Sequence, residues 1–180
     1  MHTAKTVICT LLILLLATLA SGLIFIYSGV LNVSARGKDP VLLNWAIVTT
    51  RERSLDVRKK SVKVPSDLDD PKMIMDGFKH YRKRCVGCHR SPGLTDSDLG
   101  RGLNPQPPNF AQLEASYVDP PEYFLIIRNG IRLTAMPAWG VTQGDDKIWT
   151  LVAFLKKLPG MTQDQYNNMD KAAGPAGEDD

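Results

Sequence analysis

Two thiols and an imidazole stand at a chemically meaningful spacing in Cys85-Val86-Gly87-Cys88-His89. Cys-x-x-Cys-His is the attachment pattern of c-type haem. The two intervening residues separate the thiols enough for thioether bonds to the two vinyl groups of one porphyrin, and the following histidine lands beneath the ring as an iron ligand. Other uses of such a pair fare less well. Four-coordinate zinc needs closing ligands, and the remaining candidates are Cys9, inside an apolar run, and His2 and His80. A dithiol redox pair of the thioredoxin kind would follow a strand, whereas the residues ahead of Cys85 read as helix.

A low-spin haem iron also takes a sixth ligand, and Met136 is the expected one. It stands 47 residues beyond His89, in Leu133-Thr134-Ala135-Met136-Pro137-Ala138-Trp139-Gly140, where Pro137 keeps the backbone extended. Met73 and Met75 lie on the helix leading into the motif and have little reach to the opposite face. Met161 and Met169 follow the last helix of the domain. His80 is the competitor by element, but it precedes Cys85 by a short helical segment and is expected to face solvent; an open position is the other alternative. Methionines mostly fill cores, and the loop setting of Met136 sets it apart.

These groups need helices to hold them. Asp70-Pro71 is an N-cap followed by proline at the first helical position, and Ile74, Gly77, Phe78 and Tyr81 recur at helical spacing, predicting a helix that runs into Cys85. Gly77 in mid-helix costs about 1 kcal/mol against alanine, which suits a point where another helix crosses closely. Residues 147–158 (KIWTLVAFLKKL) supply that partner, with Ile148, Leu151, Val152 and Leu155 on one face and Pro159-Gly160 as the stop. Between them, residues 91–112 are too rich in glycine and proline for regular structure but suited to wrapping a flat cofactor. A short helix follows over 122–129, ended by Gly130.

The chain of 180 residues, 43% hydrophobic and 23% charged, has room for one modest domain with appendages. Four parts are expected: a transmembrane anchor over 1–30, a basic membrane-proximal linker over 31–68 that is in part helical, the haem domain over 69–162, and a disordered acidic tail over 163–180. Residues 7–30 are almost wholly apolar and exceed the roughly 20 residues a spanning helix needs. The apolar run continues past the small-residue site at Thr18-Leu19-Ala20, which favours an uncleaved anchor over a signal peptide. Charge is uneven: residues 28–66 hold eight Lys and Arg against three Asp and Glu, whereas residues 163–180 hold five acidic residues against one basic. The basic run from Arg51 to Lys63, with Trp45 ahead of it, reads as a helix at the lipid surface; docking on a partner subunit and a plain spacer are the alternatives. The positive-inside rule would keep this basic flank in the cytoplasm. In the cytochrome families this motif implies, haem is attached on the exported side, which argues the opposite, and that chemistry decides the expectation.

Residues 69–160 resemble class I cytochrome c domains. The likeness rests on Gly77, Tyr81, Cys85, Cys88, His89, the proline-rich loop, Asn129-Gly130-Ile131, Thr134 and Met136-Pro137. It implies an all-α fold of three to four helices around one covalent haem c, with the first and last helices crossing near the motif. It also implies a loop carbonyl, from Asn104, Pro105 or Gln106, accepting a hydrogen bond from the proximal imidazole, and Trp139 or Arg132 against a haem propionate. The leader resembles that of membrane-anchored bacterial monohaem cytochromes. The implied role is one-electron transfer at the outer face of the inner membrane, with the haem domain in the periplasm. A dehydrogenase or quinol-oxidising complex would be the donor and a terminal oxidase or other acceptor the sink, with no nucleic-acid partner. A fixed subunit of a larger oxidoreductase is the alternative, and an enzyme or gas sensor with a labile sixth ligand the third. The cations Lys79, Arg82, Lys83 and Arg84 could steer an acidic partner or be a solvated face.

Overall fold

The computed structural model describes residues 2–94, 97–114 and 117–175. Among these, regular structure is entirely helical. Two compact units are present, residues 1–38 and residues 39–180.

The first unit is helix α1, His2–Tyr27, whose Thr3–Tyr27 stretch is long and apolar enough to cross a membrane. Its 26 residues rise about 39 Å at roughly 1.5 Å each. The hydroxyls of Thr10 and Thr18 donate back to the carbonyls of Thr6 and Leu14 at 3.0 and 2.8 Å. Those polar groups are thereby satisfied within the helix, as an apolar medium requires.

The second unit opens with α2, Val41–Lys59, followed by α3, Pro71–Arg84, and the single turn α4, Val86–His89. Then come the short α5, Asp98–Arg101, a 3-10 turn at Phe110–Gln112, α6, Pro120–Asn129, a 3-10 turn at Trp139–Val141, α7, Asp145–Lys157, and α8, Gln163–Ala173. The Asp70 carboxylate caps α3 by accepting from the Lys72 and Met73 amides at 2.7 and 3.1 Å, and Pro71 occupies the first helical position.

The core is the crossing of α3 and α7. A Cβ on Gly77 would collide with the Thr150 carbonyl and come within 2.9 Å of the Phe154 Cβ, so only glycine lets these backbones approach so closely. Around that point Phe78, Tyr81, Ile148, Val152, Phe154 and Leu158 are fully buried. Phe154 meets Phe78 edge-on at 5.4 Å and Tyr81 at a tilt at 5.2 Å between ring centroids. On its other side α7 stacks Trp149 on Phe124 of α6 at 4.3 Å.

Two stretches differ from the sequence reading. Residues 163–173, expected to be disordered, form α8: Thr162 and Gln165 make a reciprocal capping box, and Tyr166 buries its ring against Phe78 at 5.0 Å. Arg82 clamps this helix, its Nη1 pairing with Asp170 and donating to the Gly174 carbonyl, both at 2.8 Å. The end of the expected tail, Glu178-Asp179-Asp180, lies outside the described residues. Residues 41–59, expected to belong to a linker, instead pack on α6 within the haem-domain unit. Lys59 ties that contact, its Nζ lying 2.9 Å from Asp119, 3.0 Å from Glu122 and 3.3 Å from Asp56. These three carboxylates hold its ammonium well above the usual lysine range, with the Asp119 hydrogen bond as the largest cause.

Candidate haem site

A largely apolar cleft of about 370 Å³ opens between α3, α6, α7 and the loops over 103–110 and 131–139. Cys85, Cys88, His89 and Met136 all line it. The four residues singled out by type and spacing are therefore brought to one place.

Helix α3 delivers the motif. The Cys85 amide donates to the Tyr81 carbonyl at 2.9 Å, and the His89 amide to the Cys85 carbonyl at 2.8 Å, so helical geometry passes almost unbroken from α3 into α4. The chain then turns sharply at Arg90, which has φ 67. For a non-glycine residue that conformation costs about 1–3 kcal/mol and persists only where neighbours fix it. Tyr81 does the fixing: its buried hydroxyl donates to the Arg90 carbonyl at 2.6 Å. Burial also pushes the Tyr81 phenol up, keeping it a neutral donor.

The imidazole of His89 is oriented from two sides. Its Nδ1 lies 3.1 Å from the Pro108 carbonyl, and its ring stacks on Phe110 at 4.6 Å with an interplanar angle of 21°. A carbonyl oxygen can only accept, so the proton sits on Nδ1 and the Nε2 lone pair is left as a base. Burial holds this imidazole below its ordinary pKa, against the opposing effect of the Pro108 bond, and so favours the neutral ring. The carbonyl is that of Pro108, not of Asn104, Pro105 or Gln106; the loop reaches two residues further before it turns over the ring. Burial likewise pushes the Cys85 thiol up to about 12, so the group is an uncharged thiol in an apolar wall.

Met136 is presented by a loop that closes on itself. The Ile131 amide donates to the Met136 carbonyl at 3.2 Å, the Met136 amide to the Thr134 hydroxyl at 3.1 Å, and that hydroxyl to the Ile131 carbonyl at 2.8 Å. Gly130, at φ 66, starts the loop where a Cβ would fall 2.8 Å from the Met136 carbonyl and the Ala138 amide. Glycine is required there on both conformational and spatial grounds.

Other expectations fare variously. Trp139 lines the cleft, whereas Arg132 is exposed and does not. His80 does not face solvent: it is 8% exposed and lies outside the cleft wall. The expected surface cations divide, Arg82 serving α8 and Arg84 lining the cleft. In and just after α2, Arg51 and Lys59 turn inward while Arg53, Arg58 and Lys60 remain exposed, so the basic run is not a single lipid-facing stripe.

The wall suits a haem in its chemistry. It is aliphatic and aromatic over most of its extent, and it carries Arg51 and Arg84 with no Asp or Glu among its lining residues. The Nε of Arg84 is buried without a hydrogen-bond partner, as expected where an anionic group such as a porphyrin propionate completes the site. Among the described residues no three His, Cys, Asp or Glu side chains converge in the manner a bare metal ion needs.

Comparison with known families agrees with this geometry. The family described as cytochrome C oxidase, cbb3-type, subunit III matches residues 72–155, slightly under half of the chain. A search of curated proteins returned no match. The matched span begins in the first turn of α3, ends in the last turn of α7, and encloses every residue of the motif and the Met136 loop. Residues 72–155 thus match a c-type cytochrome domain, which supports haem-based electron transfer, in a chain whose apolar N-terminal helix fits membrane anchoring.

Proposed function

We propose that this chain carries single electrons through one haem c, bonded through Cys85 and Cys88 and ligated by His89 and Met136, at the outer face of a bacterial inner membrane. The observation that carries the reading is the convergence of those four side chains on one largely apolar cleft. When bound, haem supplies the one-electron ferric/ferrous couple. The protein does the rest. His89 offers an Nε2 lone pair because Pro108 holds the proton on Nδ1. Met136 offers a thioether, a neutral soft donor that favours the ferrous state and raises the potential. The walls formed by Ile126, Ile127, Leu151 and Leu155 exclude water, which acts in the same direction. If His89 and Met136 both ligate the iron, no coordination site would be left for oxygen or substrate.

Anchoring through α1 would keep the domain at the membrane surface and raise its effective concentration beside membrane-bound donors and acceptors. The test is spectroscopic. C85A/C88A should abolish covalently retained haem in denaturing gels. M136A should retain haem but lose the methionine–iron charge-transfer band and bind carbon monoxide in the reduced state. A colourless exported protein, or an M136A spectrum identical to wild type, would overturn the assignment.

The description of the matched family favours a second reading, a fixed haem subunit of a larger oxidase complex. Extraction in mild detergent separates the two: stoichiometric co-migration with other subunits supports the fixed subunit, and a monodisperse red protein alone supports the tethered carrier.

A further inference from the structure

Helix α2 precedes the cytochrome-matched span altogether, yet one of its side chains reaches the haem cleft. Ile47, Arg51, Leu55 and Lys59 recur every four residues on its half-buried face. Ile47 and Leu55 are apolar and need no partner. Lys59 faces inward because Asp56, Asp119 and Glu122 surround it. Arg51 differs: among the described residues no carboxylate pairs with it, and no acidic residue belongs to the cleft it lines. Arg51 is half-buried at the edge of this cleft, so an anion entering the cleft would meet its guanidinium with no carboxylate of the wall competing for it.

A porphyrin brings two propionates to its pocket, and Arg51 and Arg84 are the two guanidiniums in this wall. A planar guanidinium matches a carboxylate with paired donors, which an ammonium cannot reproduce in full. We propose that Arg51 is a haem-propionate ligand supplied from outside the matched domain, and that α2 thereby acts as a redox-tuning part of the site. The inference rests on the haem assignment above. Neutralising a propionate beside the iron removes negative charge that would favour the ferric state, so Arg51 raises the midpoint potential. Lys59 is the fastener that holds α2, and hence Arg51, against α6.

The experiment is potentiometric titration of the full-length, haem-loaded protein in detergent, comparing R51Q, R51K and R53Q with wild type. Arg53 shares the helix and the charge but is exposed and absent from the cleft wall. R51Q is expected to shift the midpoint potential downward and to alter the propionate bending band in resonance Raman, with haem content and the methionine–iron band retained. R51K should recover most of the shift, and R53Q should show none. An unshifted R51Q overturns the proposal. So does R53Q shifting as far as R51Q, which would indicate distant charge alone, or R51K shifting as far as R51Q, which would indicate packing. If R51Q cannot be loaded with haem, the propionate bending band decides on R51K: a band altered in R51K and not in R53Q supports the proposal, and a band unaltered in both overturns it. A colourless wild type would instead bring down the haem assignment itself, whereas a red wild type with an unshifted R51Q removes only the role of Arg51.

Discussion

The α3–α7 crossing and the α2–α6 seam both border the candidate haem cleft, and they are held by opposite kinds of contact. At the crossing, Gly77 abuts the Thr150 backbone and interlocking rings of Phe78, Tyr81 and Phe154 fill the space, with no ion pair at its centre. At the seam, the half-buried face of α2 packs on α6 and an ammonium is shared among three carboxylates. Close packing tolerates almost no change of volume. A partly exposed ion cluster is weaker and screened by salt. The first contact therefore fixes where the motif stands, and the second leaves room for adjusting its surroundings.

The largest expected effect lies at the crossing. G77A gains helix propensity but drives a methyl group into the Thr150 carbonyl, and should destabilise the domain by about 3 kcal/mol or more, read as a lower melting temperature of the haem-loaded protein. A melting temperature equal to wild type would show that the helices can part without penalty. Next comes the Met136 loop, where T134V removes both bonds of the Thr134 hydroxyl and should cost about 1–3 kcal/mol. Its sharper readout is partial loss of the methionine–iron band with the fold intact; a full-strength band would show that the loop holds itself without the hydroxyl.

K59M tests the seam. Amides of α2 should exchange faster while those of α3 and α7 stay protected, and the salt dependence of α2 protection in wild type should vanish. Uniform behaviour across all helices would erase the distinction between the two contacts. The smallest effect belongs to Asp69, which pairs with Lys157 at 2.9 Å and Lys156 at 3.2 Å, with Lys157 the larger influence in holding its carboxyl below the usual range. A depressed carboxylate contributes stability that is complete above its unfolded pKa and lost as pH falls through that value toward the folded one. D69N should therefore flatten the acid side of the stability profile and leave neutral pH nearly unchanged; an unchanged acid side would show that solvent screens the pairs fully.

Much of the crossing is legible in the sequence because local signals and long-range packing agree there. Asp70-Pro71 starts α3 as expected, Gly77 marks the contact, and residues 147–158 carry the matching face. The seam is less legible. The apolar residues of α2 follow no clean period, since Leu42 and Trp45 are exposed while Ile47 and Leu55 face inward, so only the partner helix reveals the register. The counter-ions of Lys59 at the start of α6, Asp119 and Glu122, lie sixty or more residues away. For the same reason nothing in the sequence separates Arg51 from its basic neighbours. By contrast, α8 carried a readable sign in Thr162 and Gln165, spaced as a capping box, which the acidic composition of the tail outweighed. The identity of the carbonyl facing His89 depends on the path of a proline-rich loop, and no propensity fixes such a path.

That carbonyl has a consequence for rate. It belongs to the second of two adjacent prolines, Pro107 and Pro108, whose rings lock their φ angles. A dipole mounted on so stiff a support turns little when the charge beside it changes by one, and a prearranged dipole need not be rebuilt during the event. With a haem held on His89, little nuclear rearrangement would accompany each arrival or departure of an electron, and the bond that orients the imidazole would thereby also favour fast exchange with whatever docks at the cleft.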